Sequence, residues 1–128
     1  VFGDPLGQVP QMDTFLFPAD ECLVQKAKEV NEKVNPDIHT FTGIVASGDQ
    51  FIASKEAKEK IVTNFHAFCA EMEGAAIAHA AYLNKVSCVI IRAISDKADN
   101  SAVMDYPEFE KRAIRQNVRL VTELVAEI

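Results

Sequence analysis

The stretch at residues 86–94, Val-Ser-Cys-Val-Ile-Ile-Arg-Ala-Ile, constrains the fold more than any other part of the chain. It is apolar on both alternating faces, with Arg92 as the charged exception. A strand with one wet face alternates apolar and polar residues, whereas a parallel strand covered on both sides reads as a continuous apolar run. The pattern therefore predicts a parallel strand sandwiched between helices. The preceding segments supply them. Leu23, Ala27, Val30 and Val34 recur at helical spacing over 20–34, and Asn35-Pro36-Asp37 stops that helix. Residues 40–46 read as a strand ending at Ser47-Gly48-Asp49, and Ser54 caps a short charged helix running to Phe65.

Residues 68–70 predict a brief buried strand, and 72–83 an alanine-rich helix whose small side chains let its backbone approach a sheet. Asp105-Tyr106-Pro107-Glu108 forms a capping box with proline in the first turn. It opens a terminal helix with an apolar stripe of Tyr106, Phe109, Ala113, Leu120, Leu124 and Ile128. Residues 1–18, with Pro5, Pro10 and Pro18, read as an irregular loop. This alternation predicts an α/β layered domain over residues 1–128 with a mostly parallel sheet. About three strands are visible, fewer than such a sheet needs to bury both faces, so the sheet reads as incomplete.

Composition narrows the function classes. At 128 residues and 48% hydrophobic, the chain suffices for one domain and is too short for two. A net charge of −6 and scattered basic residues argue against nucleic acid, since nothing displaces phosphate counterions. No apolar run approaches the roughly 20 residues of a membrane span. Cys22, Cys69 and Cys88 read as small buried hydrophobes in a reducing compartment. The histidines lack metal-ligand spacing, so no metal is expected. No secretory signal is visible, and a cytoplasmic location is the expectation.

Ligands in open α/β sheets bind beyond the carboxyl ends of the strands. Three polar clusters fall there: 47–52, 71–74 and 95–99. In the second, Glu71 and Glu73 flank Met72. Acidic residues at a helix start complement its dipole, but two carboxylates so placed can also grip the vicinal hydroxyls of a ribose. Arg92 is either the structural partner of one of them or part of the chemistry, and spacing does not separate the two roles. Asp96 is either a turn residue or a partly desolvated acid able to donate a proton. Phe51, Met72 and Tyr106 can wall a flat ring and are equally at home in a core.

Together, Ser-Gly-Asp-x-Phe-Ile (47–52), Glu-Met-Glu-Gly-Ala-Ala-Ile-Ala (71–78), Val-Ile-Ile-Arg-Ala-Ile-Ser-Asp-Lys-Ala-Asp (89–99) and the opening Val-Phe-Gly-x-x-x-Gly-Gln-Val-Pro (1–10) carry a resemblance. The chain resembles bacterial 5'-methylthioadenosine/S-adenosylhomocysteine nucleosidases, within the nucleoside phosphorylase fold superfamily. The resemblance implies a three-layer fold with a mostly parallel mixed sheet, a homodimer, a small-molecule nucleoside substrate and no cofactor. It implies that Phe51 stacks on adenine and that the Ile52 backbone bonds the purine edge. Met72 and Glu73 contact the ribose, with Glu71 beside them. Asp96, oriented by Ser95, bonds the adenine N6 group and protonates or hydrogen-bonds N7, and Arg92 helps place the attacking water. Tyr106 lies beside the 5'-alkylthio group, and Phe2 enters the neighbouring subunit's site. An aspartate at 96 suits a 6-aminopurine, whereas relatives acting on 6-oxopurines tend to carry asparagine.

The family pattern also begins with a strand bearing a glutamate base, followed by Gly-rich segments, and these are not in this sequence. The expectation is a C-terminal part whose N-terminal half is absent and which alone does not turn over. Other expectations are a futalosine-type nucleosidase, a purine nucleoside phosphorylase, or a non-catalytic nucleoside-binding or dimerising module.

Overall fold

The computed structural model describes residues 3–95 and 106–128. Its elements are α1 (Glu21–Val34), β1 (Ile44–Ser47), α2 (Lys55–Phe65), β2 (Ala67–Glu71), α3 (Gly74–Asn84) and α4 (Tyr106–Glu127). Strands β1 and β2 pair in parallel, with Ser47 opposite Glu71, so both end at one carboxyl edge. Helix α2 crosses over both strands and α3 packs on β1. No helix among the described residues is long and apolar enough to cross a membrane.

Local chemistry explains where the helices begin and end. The Asp20 carboxylate accepts from the Leu23 N–H at 3.0 Å and caps α1. It also accepts from the Ser87 hydroxyl at 2.7 Å, while the Asp20 N–H donates to the Cys88 carbonyl at 2.8 Å. These bonds sew the start of α1 to residues 86–95. Ser54 caps α2 through the Ala57 N–H, as its position before the charged run predicts. Helix α1 ends at Asn35, whose amide nitrogen donates to Asn31 Oδ1 and to the Gln116 carbonyl of α4. The stop expected from Asn-Pro is thus also a clamp between two helices.

The core lies between α1 and α4. Ala27, Val30, Leu120 and Leu124 form one buried cluster, with Val34 and Ile91 packed against it. Lys26 and Lys33 of α1 pair with Glu123 and Glu127 of α4 around its rim. The expected stripe on α4 holds at Ala113, Leu120 and Leu124, whereas Ile128 lies beyond the helix and is exposed. A second row, Ile114, Val118, Val121 and Val125, faces outward. Asp105 of the expected capping box lies outside the described residues.

Three expectations need correction, the first being the burial of the cysteines: Cys22 is exposed, and Cys69 and Cys88 are half-buried. Residues 86–94 form no ladder with either strand among the described residues, and the sheet there has two strands, not three. An apolar run reports burial on both faces, while a strand additionally requires a neighbouring edge with free N–H and C=O groups. The burial part holds in the middle of the run, where Val89, Ile90 and Ile91 are half-buried, and fails at its ends, where Val86 and Ile94 are exposed. The alanine-rich helix also begins at Gly74 instead of Met72, and of its residues only Gly74 is buried.

Candidate active site

The two parallel strands deliver Ser47 and Glu71 side by side at the carboxyl edge of the sheet. The next residues turn directly into α3, leaving the first N–H groups of that helix without intrahelical acceptors. The Glu71 carboxylate supplies them. It accepts from the Gly74 N–H through both oxygens at 2.9 and 2.7 Å, and from the Glu73 N–H at 2.9 Å. The Ser47 hydroxyl donates to Glu71 Oε1 and accepts from the Ala75 N–H at 2.7 Å. Arg92 Nη2 completes the set, 3.2 Å from Glu71 Oε2.

Glu71 is therefore enclosed, its side chain 5% exposed, with both oxygens engaged. Burial pushes its carboxyl up. The Ser47 hydroxyl, the Glu73 and Gly74 N–H groups and the Arg92 charge outweigh that and hold it below the usual glutamate range. Gly74 has a steric reason: a Cβ there would lie 2.9 Å from Glu71 Oε1 and 3.2 Å from its carboxyl carbon. The neighbouring Cys69 thiol is pushed up by burial and by the Glu71 charge, with Arg92 opposing.

Glu73 behaves differently. Its side chain is 60% exposed and its Oε2 sits 2.8 Å from the same Arg92 Nη2. One guanidinium nitrogen thus bridges an inward and an outward carboxylate. Arg92 reaches them because adjacent residues of 86–95 face opposite ways: Ile91 enters the α1–α4 core and Arg92 the β2–α3 junction. Of the two roles considered for Arg92, the ion-paired partner is seen here, and its side chain is still 37% exposed.

The structure brings Ser47, Glu71, Glu73 and Arg92 together. The two carboxylates considered as a joint grip on vicinal hydroxyls are split, because only Glu73 presents its carboxylate outward while Glu71 turns under the helix. Met72 and Phe51 are exposed, and Ile52 and Ser95 half-exposed. Asp96, Phe2 and the Tyr106 side chain lie outside the described residues. Sequence reasoning placed Ser47 in a cluster but assigned it no role. The available signal was a hydroxyl ending one strand in register with a carboxylate ending its parallel neighbour. A cleft of about 310 Å³ between the N-terminal loop and α3, bordered by Phe17, Tyr82 and Ile90, does not include this cluster. Among the described residues no group of three or more His, Cys, Asp or Glu side chains is placed to hold a metal.

Comparison with known proteins gives this geometry a context. The family profile described as the phosphorylase superfamily matches residues 2–126. An aminodeoxyfutalosine nucleosidase of Helicobacter pylori (strain 26695) is 37% identical over 127 residues, 99% of this chain and 54% of the relative. A 5'-methylthioadenosine/S-adenosylhomocysteine nucleosidase of Desulfotalea psychrophila is 40% identical over 129 residues, with coverage of 99% and 54%. A crystal structure of the Helicobacter pylori 5'-methylthioadenosine/S-adenosylhomocysteine nucleosidase superposes with a TM-score of 0.85 at 35% identity, over 99% of this chain and 53% of that one. Its ligand joins an amino-pyrrolopyrimidine through a methylene to a hydroxypyrrolidine bearing a propynylthiomethyl arm. The chain spans about half the length of these relatives.

Proposed function

The chain belongs to the phosphorylase superfamily, and on that premise we propose that its protein hydrolyses the N-glycosidic bond of 5'-methylthioadenosine and S-adenosylhomocysteine, releasing adenine. The observation that carries this reading is the outward carboxylate of Glu73, braced by Arg92 at the carboxyl edge of the sheet. A carboxylate accepts hydrogen bonds only, so a vicinal diol is a natural partner for it.

In this reading Glu73 grips the ribose hydroxyls and Met72 lies against the sugar. Phe51, exposed in this structure, stacks on the purine, and the Ile52 backbone bonds the purine edge. Asp96, held by Ser95, protonates N7 so that adenine leaves as a neutral base. A positioned general acid is worth about 10²–10⁴-fold in rate. The sugar develops oxocarbenium character as the bond breaks, and nearby carboxylate charge favours it. Arg92 orients the attacking water. Glu71 has both oxygens occupied, so activating that water falls to another group. Tyr106 flanks the 5'-alkylthio arm, and Phe2 enters the partner site of a cytoplasmic homodimer.

The similarity to an aminodeoxyfutalosine nucleosidase supports a second reading, in which the same site cleaves a futalosine-type nucleoside. The test is adenine release by the full natural protein from methylthioadenosine, S-adenosylhomocysteine and aminodeoxyfutalosine, with and without phosphate. Asp96→Asn is expected to lower turnover by about 10²–10⁴-fold while the unfolding midpoint stays put. Full activity in that variant removes Asp96 from the acid role, and a demand for phosphate replaces hydrolysis by phosphorolysis.

A further inference from the structure

We propose that Ser47 is a positioning residue for glycosidic cleavage, locking Glu71 beneath the first turn of α3 so that Glu71 holds Arg92 and Arg92 holds Glu73. The inference rests on the nucleosidase reading and assigns that site its supporting layer.

The geometry is a chain of contacts with no slack. The Ser47 hydroxyl has one proton and gives it to Glu71 Oε1, while its lone pairs receive the Ala75 N–H at 2.7 Å. It therefore ties the end of β1 both to the carboxylate at the end of β2 and to the start of α3. Glu71 Oε2 lies 3.2 Å from Arg92 Nη2, which lies 2.8 Å from Glu73 Oε2. The Ser47 side chain is hydrogen-bonded to Glu71 and Ala75, so its influence on Glu73 and Arg92 passes through the buried Glu71 side chain and the first turn of α3. Removing the hydroxyl leaves Oε1 with the Gly74 N–H alone and lets the carboxylate shift toward its Oε2 partners. The N–H of Ala75 also loses its acceptor. Misplacement on the order of 1 Å at a remote support costs up to about 10²-fold in rate.

Glu71 is faced by Ser47 from β1, Cys69 from its own strand, Glu73 from the α3 junction and Arg92 from residues 86–95. Of these, Ser47, the Glu73 N–H and Arg92 favour its charged form, so losing Ser47 moves its protonation toward neutral pH.

The experiment compares Ser47→Ala and Ser47→Thr with the unmutated full natural protein, using methylthioadenosine across the acidic and neutral range. Ser47→Ala is expected to lower kcat by about 10–10²-fold with KM changed by less than about threefold, and to move the acid limb of the kcat profile upward. Ser47→Thr, which keeps the hydroxyl, is expected to restore both. Should the alanine variant misfold, the near-isosteric Ser47→Cys, a weak donor, is expected to show the same change in milder form. Unaltered kcat and acid limb, or a loss that threonine does not rescue, overturns the proposal. A ¹³C titration of the Glu71 carboxyl in the same variants separates this inference from the parent reading. If the unmutated protein releases no adenine, the nucleosidase reading fails by itself. An upward-shifted Glu71 titration in Ser47→Ala then upholds the coupling, and an unshifted one refutes it.

Discussion

Replacing Glu71 by glutamine probes the whole β2–α3 junction, because it keeps the shape of the side chain and removes only charge and acceptor capacity. The carboxylate accepts from the Ser47 hydroxyl and the Glu73 and Gly74 N–H groups, is ion-paired with Arg92 at 3.2 Å, and has its side chain 5% exposed. A glutamine has one oxygen and one NH₂ group, so on one side a donor must face donors. If the oxygen stays with Ser47, the NH₂ confronts the Glu73 and Gly74 N–H groups and Arg92; reversed, it confronts the Gly74 N–H, while the Ser47 hydroxyl can turn to accept. Hydrogen bonds to a charged group contribute about 1.5–3 kcal/mol each, and breaking a fully buried ion pair costs about 3–5 kcal/mol. Arg92 is 37% exposed and rehydrates when released, which lowers the second figure. The expected destabilisation is about 2–4 kcal/mol, a drop of about 1 M or more in the urea midpoint with the slope unchanged.

The pH dependence sharpens the test. Because the folded-state carboxyl titrates below its ordinary value, its contribution is complete above the unfolded value of about 4.3 and is lost as pH falls through the lower folded-state value. The gap between Glu71→Gln and the unmutated protein should therefore be widest near neutrality and close in acid. A gap under about 0.5 kcal/mol at neutral pH, or one that persists undiminished in acid, refutes the reasoning; the first is within the range of ordinary surface substitutions.

Other outcomes follow from the same contacts. Gly74→Ala puts a methyl 2.9 Å from Glu71 Oε1, and is expected to cost about 1–3 kcal/mol in urea unfolding while raising the Glu71 carboxyl titration seen by NMR. Leu124→Ala, at a residue 5% exposed between α1 and α4, is expected to cost about 2–5 kcal/mol. As it lies away from the β2–α3 junction, the titration of Glu71 should not move.

Helices α1 and α2 were legible because each carries its own punctuation. Ser54 caps α2 and Asn35 closes α1 as expected, since a cap is a contact between residues two to four apart. The buried stripe at Ala113, Leu120 and Leu124 was legible for a similar reason, being a period on one helix. The outward row of Ile114, Val118, Val121 and Val125 shows the limit of that signal, because two apolar stripes on one helix do not say which is covered. Residues 86–94 fail more instructively, because their composition reports an apolar environment and pairing depends on an edge supplied by other parts of a sheet.

The amino-acid order alone determined the motif residues, the cap of α2, the stop of α1 and the resemblance to nucleosidases. Only the folded arrangement decided that Glu71 and Glu73, two positions apart, have opposite roles. One lies beneath the helix start with every lone pair engaged, and the other points outward. That division depends on the parallel register bringing Ser47 against Glu71, and on Arg92 arriving from a third segment. Such contacts join residues about twenty or more positions apart, and no local periodicity encodes them.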